Sequence, residues 1–298
     1  MRSDADYGAF KASARSGETM KSGKLARGTG IFFATVILFV IFCYLLFPTA
    51  RIDAVIGQVL SRQGLTVTPA VHKTLLPGLA WDNLLLSSEH GVLLRSERFG
   101  IRPLLLPLFI GRAVISGGAT IGKGRLDFRY ALNGKAALDL EADGIALAEI
   151  PFFKNVLGAK AAGNLWSRGL LQRGPKGLSG DLRLEVKQLE FSGVKLGVFP
   201  LPDAANLKTQ GMIKVVDGKA RLESFTLEGD GLYMRLSGDL PSGASAAVTP
   251  INMSLQIMPK PEFLEKQKLV FMLLAKFMSS PGVYTVPIRG TLLKPVIL

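Results

Sequence analysis

Residues 125–144 read RLDFRYALNGKAALDLEADG, and this stretch decides the fold. Leu126, Phe128 and Tyr130 alternate with Arg125, Asp127 and Arg129, so one side is apolar and the other charged. A period of two marks a strand with one face covered. Asn133-Gly134 follows, the dipeptide that accepts the positive φ angles of a tight hairpin turn. Ala136, Leu138 and Leu140 then restore the alternation, which is expected to stop at Asp143-Gly144. The stretch predicts a β-hairpin with an apolar side facing a core.

The unit recurs. Leu182, Leu184 and Val186 alternate with Asp181, Arg183, Glu185 and Lys187. Residues 212–216, the turn Asp217-Gly218 and residues 220–227 predict a second hairpin. Asp230-Gly231 turns into Leu232, Met234 and Leu236, closing at residues 237–241. Ile251, Met253, Leu255 and Ile257 alternate with Asn252, Ser254 and Gln256, and YTVPIRGTLLKPVI (284–297) reads as one last strand. Strands with one apolar face build antiparallel sheets. The expectation is a mainly β body: an elongated, curved antiparallel sheet, open or partly closed, capped by a few short helices. Helical pieces are expected at 103–110, 149–157 and 262–278, and an amphipathic helix runs from Pro48 through Ile52, Val55, Ile56, Val59 and Leu60 to Gly64. The 262–278 piece sets Phe263, Val270, Phe271, Leu274, Phe277 and Met278 against Glu265, Lys266, Lys268 and Lys276. It is too charged for a membrane span and reads as a helix capping the core.

The N-terminus obeys a different pattern. Ile31 to Phe47, IFFATVILFVIFCYLLF, holds seventeen residues with no charge and no proline. With its flanks it is long enough for a helix across a ~30 Å hydrocarbon core. The chain therefore reads as a basic tail (1–30), a transmembrane signal anchor (31–50) and one β-rich body (51–298). Six basic residues face three acidic ones in the tail, whereas Arg51 and Asp53 cancel after the anchor. That bias keeps the N-terminus cytoplasmic and carries the body across, which in a bacterium means a single-pass inner-membrane protein with a periplasmic body. A cleaved signal peptide is the alternative; the run exceeds the usual apolar core, and FPTARID lacks a small-x-small cleavage site. An outer-membrane barrel has no such anchor and shows aromatic girdles.

The net charge is +13. The basic residues are dispersed and not interleaved with aromatics, so an anionic membrane surface or acidic partner fits better than nucleic acid. The one cysteine, Cys43, lies in the anchor, leaving the body without disulfides. No nucleophile, base or metal set is dense enough for a catalytic site. His72 and His90 stand alone, and the glycines at 122–124 and 173–177 lack the spacing of a phosphate loop and read as turns. The expectation is a protein that is no enzyme and has no cofactor and no metal.

Five phrases carry a resemblance: FPTARIDAVIGQVL (47–60), LLPGLAWDNLLLSS (75–88), RPLLLPLFIGRAVISGGATIGKGRLDFRY (102–130), ARLESFTLEGDGLYMRLSGDLP (220–241) and VPIRGTLLKPVIL (286–298). In this order they resemble the protein N family of the type II (general) secretion pathway, which is itself similar to AsmA-like periplasmic proteins with elongated, groove-forming sheets associated with lipid traffic. The resemblance implies a non-enzymatic component held in the inner membrane by residues 31–47, acting by contacts with other secretion components, with edge-strand pairing as one means. The alternative is an AsmA-like carrier whose groove shields phospholipid acyl chains. Leu126, Phe128, Tyr130, Leu182, Leu184, Val186, Leu232, Met234, Leu236, Ile251, Met253, Leu255 and Ile257 would line that groove. The same faces would equally make a closed, dry core. How much helix covers the sheet discriminates the two.

Overall fold

The computed structural model describes residues 49–298 apart from 75–76, 198, 243–245 and 298, and places Thr35, Leu38, Phe39 and Phe42 in helix. The tail and most of the expected anchor lie outside the described residues. Among the described residues no helix is long and apolar enough to cross a membrane. The chain divides into two units, Met1–Pro48 and Thr49–Leu298, and the second is the body.

The body opens with α1 (Thr49–Ser61). Gly64, at φ +69°, lets the Leu65 N–H reach back to the Leu60 carbonyl and end the helix. Ile52, Ile56 and Leu60 are half-buried, while Val55 and Val59 of the same apolar stripe stay exposed.

One antiparallel sheet of sixteen strands follows. The short β1 (Thr66–Thr68) and β2 (His72–Lys73) lie beside β3 (Leu79–Ser88). Next come β4 (Gly91–Leu104), α2 (Leu105–Phe109), β5 (Val114–Ile121), β6 (Gly124–Ala131) and β7 (Ala136–Ala146). A 3₁₀ turn at Leu147–Glu149 and α3 (Phe152–Leu157) lead to β8 (Lys160–Arg173) and β9 (Leu178–Ser192). The pair β10 (Lys195–Leu196) and β11 (Phe199–Pro200) forms a separate two-stranded sheet. The main sheet resumes with β12 (Ala204–Val216), β13 (Lys219–Gly229), β14 (Leu232–Leu240) and β15 (Asn252–Pro259). After α4 (Pro261–Lys266) and α5 (Lys268–Leu274) it ends in β16 (Met278–Ser280), β17 (Val283–Gly290) and β18 (Pro295–Ile297). The long strands pair in chain order, so the sheet is a meander built from local hairpins, and it does not close on itself.

The expected turns at 133–134, 217–218 and 230–231 all join paired strands. Four local expectations are corrected. Asp143-Gly144 does not end its strand: Gly144 (φ +61°) forms a bulge between Ala142 and Ile145, and β7 runs on to Ala146. Residues 284–297 are not one strand, because Gly290 (φ +87°) turns the chain and β18 folds back on β17. The 262–278 piece is broken at Gln267, whose side chain clamps a loop: its Oε1 accepts the Asp203 N–H at 3.0 Å and its Nε2 donates to the Asp203 carbonyl at 2.7 Å. Met278, expected on the buried side, is exposed in β16.

Two clusters make the core. The larger takes its buried residues mainly from β9 and β12–β18, with Phe271 and Leu274 of α5 driven into it. The smaller comprises Ala119, Ile121, Ala142 and Ile145. Here α3 reaches back to β4, where the Asn155 side-chain amide donates to the Val92 carbonyl at 2.6 Å.

Candidate functional site, the apolar face of the sheet

The register aligns the strands into rows. Ile101 pairs with Gly117, Gly117 with Phe128, Phe128 with Leu140, Leu140 with Gly169 and Gly169 with Leu182. The row continues through Ile213, Leu222, Gly238, Met253 and Ile288 to Ile297. From β4 to β18 it contains only apolar residues and glycine. Directly paired residues share a face, so one apolar face spans the sheet. A neighbouring row on the opposite face reads Arg102, Ser116, Arg129, Asp139, Leu170, Asp181, Lys214, Arg221, Asp239 and Asn252. Both signs are interspersed there, and opposite charges meet across strands, as in Arg221–Asp239 at 3.5 Å.

The thirteen residues expected to line a groove all belong to the apolar side, but cover divides them. Val186, Leu232, Met234, Ile251, Met253, Leu255 and Ile257 are buried in the large cluster, and Leu236 packs against it. This part is closed core. Leu126 packs on the small cluster. Phe128, Tyr130, Leu182 and Leu184 join neither cluster and are partly exposed. Leu138, Leu140 and Ile115 complete this uncovered stripe across β5–β9. The 125–144 alternation marked Leu138 and Leu140; Ile115 lay hidden in a Gly-Gly run that obscures its strand.

Two features shape the stripe. A Cβ on Gly117 would lie 2.3 Å from Phe128 Cζ, so the ring lies down over the glycine. Ser167, between Ala142 and Leu184 in the adjacent row, is 8% exposed, and its hydroxyl has no hydrogen-bond partner. A buried hydroxyl without a partner costs roughly 1–3 kcal/mol.

A hollow of about 1010 Å³ is lined by β7, β8, β9, β12 and β13, by Glu141, Trp166, Arg168, Arg183 and Glu185 of the charged side and by Ser167 and Leu184 of the apolar side. Lys187 sits over the Trp166 ring at 4.4 Å. The hydrogen bond that Arg168 donates to the Glu141 carboxylate, and then the carboxylate's charge, raise the pKa of the Arg168 guanidinium above its ordinary value, so it stays charged. Among the described residues no group of three His, Cys, Asp or Glu is placed to hold a metal. His72 lies exposed beside Asp82 at 3.5 Å. No family model, no curated protein and no solved structure matches the chain.

Proposed function

We propose that this chain is a non-enzymatic, membrane-anchored component of the type II secretion pathway, protein N in kind and AsmA-like in build. It works in the periplasm through contacts of its open sheet with other components of the secretion apparatus. The observation that carries the reading is the sheet itself: a single open meander whose apolar face is closed into a large core over its C-terminal half and only partly covered across β5–β9, where Phe128, Tyr130, Leu182 and Leu184 stay partly exposed. Bare apolar surface rimmed by charge is how docking surfaces are built. The stripe, rather than the sheet edges, supplies the contact, because the edge strands β1 and β16 have only three residues each.

Curvature supports the AsmA-like build. Gln63 accepts the Ala247 N–H at 3.3 Å, joining the start of β1 to the β14–β15 connection. These lie ten strand spacings apart, ~48 Å in a flat sheet. The ten residues that link Ala247 to β14 and Gln63 to β1 reach only about 33–36 Å, which supports a bent sheet.

A second reading rests on the partly exposed row of Phe128, Leu182 and Leu184: the stripe takes a phospholipid acyl chain. A photo-crosslinking amino acid at Leu184 in the full chain, in cells, tests both. Adducts to another secretion component support docking, and adducts to phospholipid support the carrier. Adducts to neither, with the protein folded and expressed, sink both.

A further inference from the structure

A meander places every second connection at the same end of its strands. One such end carries the 105–113, 132–135 and 174–177 connections. The first is α2 and its flanks, and it is apolar but not buried: Leu106 is 82% exposed and Ile110 71%, with Leu105 and Leu108 exposed beside them. A folded body rarely offers so much leucine on one tight turn without a use. The segment is held, not loose. Asn133 accepts the Ala113 N–H at 3.0 Å and donates to the Gly111 carbonyl at 2.6 Å. Arg173 ties the next connection in, donating to the Leu132 and Ala131 carbonyls and lying over the Tyr130 ring.

The charge nearest this knob is basic. Arg102 and Arg112 flank it, Lys135 and Lys176 stand exposed on the neighbouring connections, and no acidic residue occurs between Glu97 and Asp127. The body's first residues also start here. Asp53, in the first turns of α1, accepts the Val71 N–H at 2.9 Å. Val71 leads into β2, paired with the start of β3, and Leu79 of β3 pairs with Ile101, four residues before α2. The first turns of α1 therefore lie at the end of the sheet that carries the knob.

We propose that α2 and its basic rim form a second membrane contact: Leu105, Leu106, Leu108 and Ile110 enter the interface of an anionic phospholipid surface while Arg102, Arg112 and Lys135 meet its headgroups. An apolar knob ringed by arginine and lysine suits such a surface. It also turns the bare stripe, whose Ile115 and Tyr130 lie at this end of β5 and β6, toward the bilayer. The inference rests on the reading of residues 31–50 as an anchor.

Cys43 is the sole cysteine and lies in that anchor, so one method tests both. The full chain is reconstituted in vesicles of phosphatidylethanolamine and phosphatidylglycerol carrying nitroxide-labelled acyl chains. An environment-sensitive fluorophore is placed on Cys43, or on Leu106→Cys in a Cys43→Ser background. Quenching is expected at both sites. Arg102→Gln with Arg112→Gln should lower the ratio of seated to unseated protein at position 106 about fivefold per charge. Quenching at 43 but not at 106 overturns the proposal and leaves the anchor standing. Quenching at neither removes the anchor reading and the proposal with it. A blue shift at 106 without lipid quenching assigns the knob to a contact with another copy of the chain and also overturns it.

Discussion

Met234 and Leu184 were indistinguishable as residues of alternating strands, and the fold separates them. Met234 is 2% exposed inside the large cluster, so Met234→Asp buries an unpaired carboxylate and should cost more than about 4 kcal/mol, unfolding the body. Leu184 is partly exposed on the stripe, so Leu184→Asp should cost only about 1–2 kcal/mol, from part of its burial and from strand propensity. Urea unfolding of both variants checks this, and equal losses would mean that the stripe is core. Gly117 gives a second comparison. Gly117→Ala forces its new methyl into the Phe128 ring and against the Gly100 carbonyl, for a cost of about 1–3 kcal/mol. Adding Phe128→Ala should return part of it, and a double-mutant cycle with no coupling would contradict the ring's position.

Elements show how much the sequence could say. The period of two read out β6, β7, β9, β12–β15 and their turns, because each hairpin is local and each strand keeps one wet face. It could not tell a turn from a bulge at Asp143-Gly144, since both use a residue with positive φ. Nor could it foresee that Gln267 would interrupt a well-patterned helix, because the loop it clamps lies 64 residues away. That clamp makes a prediction of its own. Gln267→Ala removes two hydrogen bonds to the Asp203 backbone and should cost roughly 1–2 kcal/mol. Amide exchange at Asp203 should rise with it, while Phe271 and Leu274 hold α5 in place. Unchanged exchange at Asp203 would show that the loop is fixed by other contacts.

At the scale of the whole body, the alternation established which face of the sheet is apolar, but not how much of that face is covered. Cover depends on where the connecting segments fold back, and these lie over β12–β17 and the α3 side of β4–β8. Of the buried apolar residues described, nineteen belong to the large cluster and four to the small one. Burying apolar area at ~25 cal/mol per Å² makes stability follow that division. The meander transmits it poorly, since each strand holds only its neighbours. The body should therefore open in parts, with β5–β7 exchanging their amides at a lower free energy than β13–β17. Native-state hydrogen exchange under low denaturant measures this directly, and a single free energy common to all strands would mean that the sheet behaves as one cooperative core. Binding along the stripe should then protect β5–β9 preferentially, because a ligand stabilises what it covers and leaves the closed half near its own ceiling. Protection confined to β13–β17 on adding lipid or a secretion partner would place the working surface on the other half of the sheet.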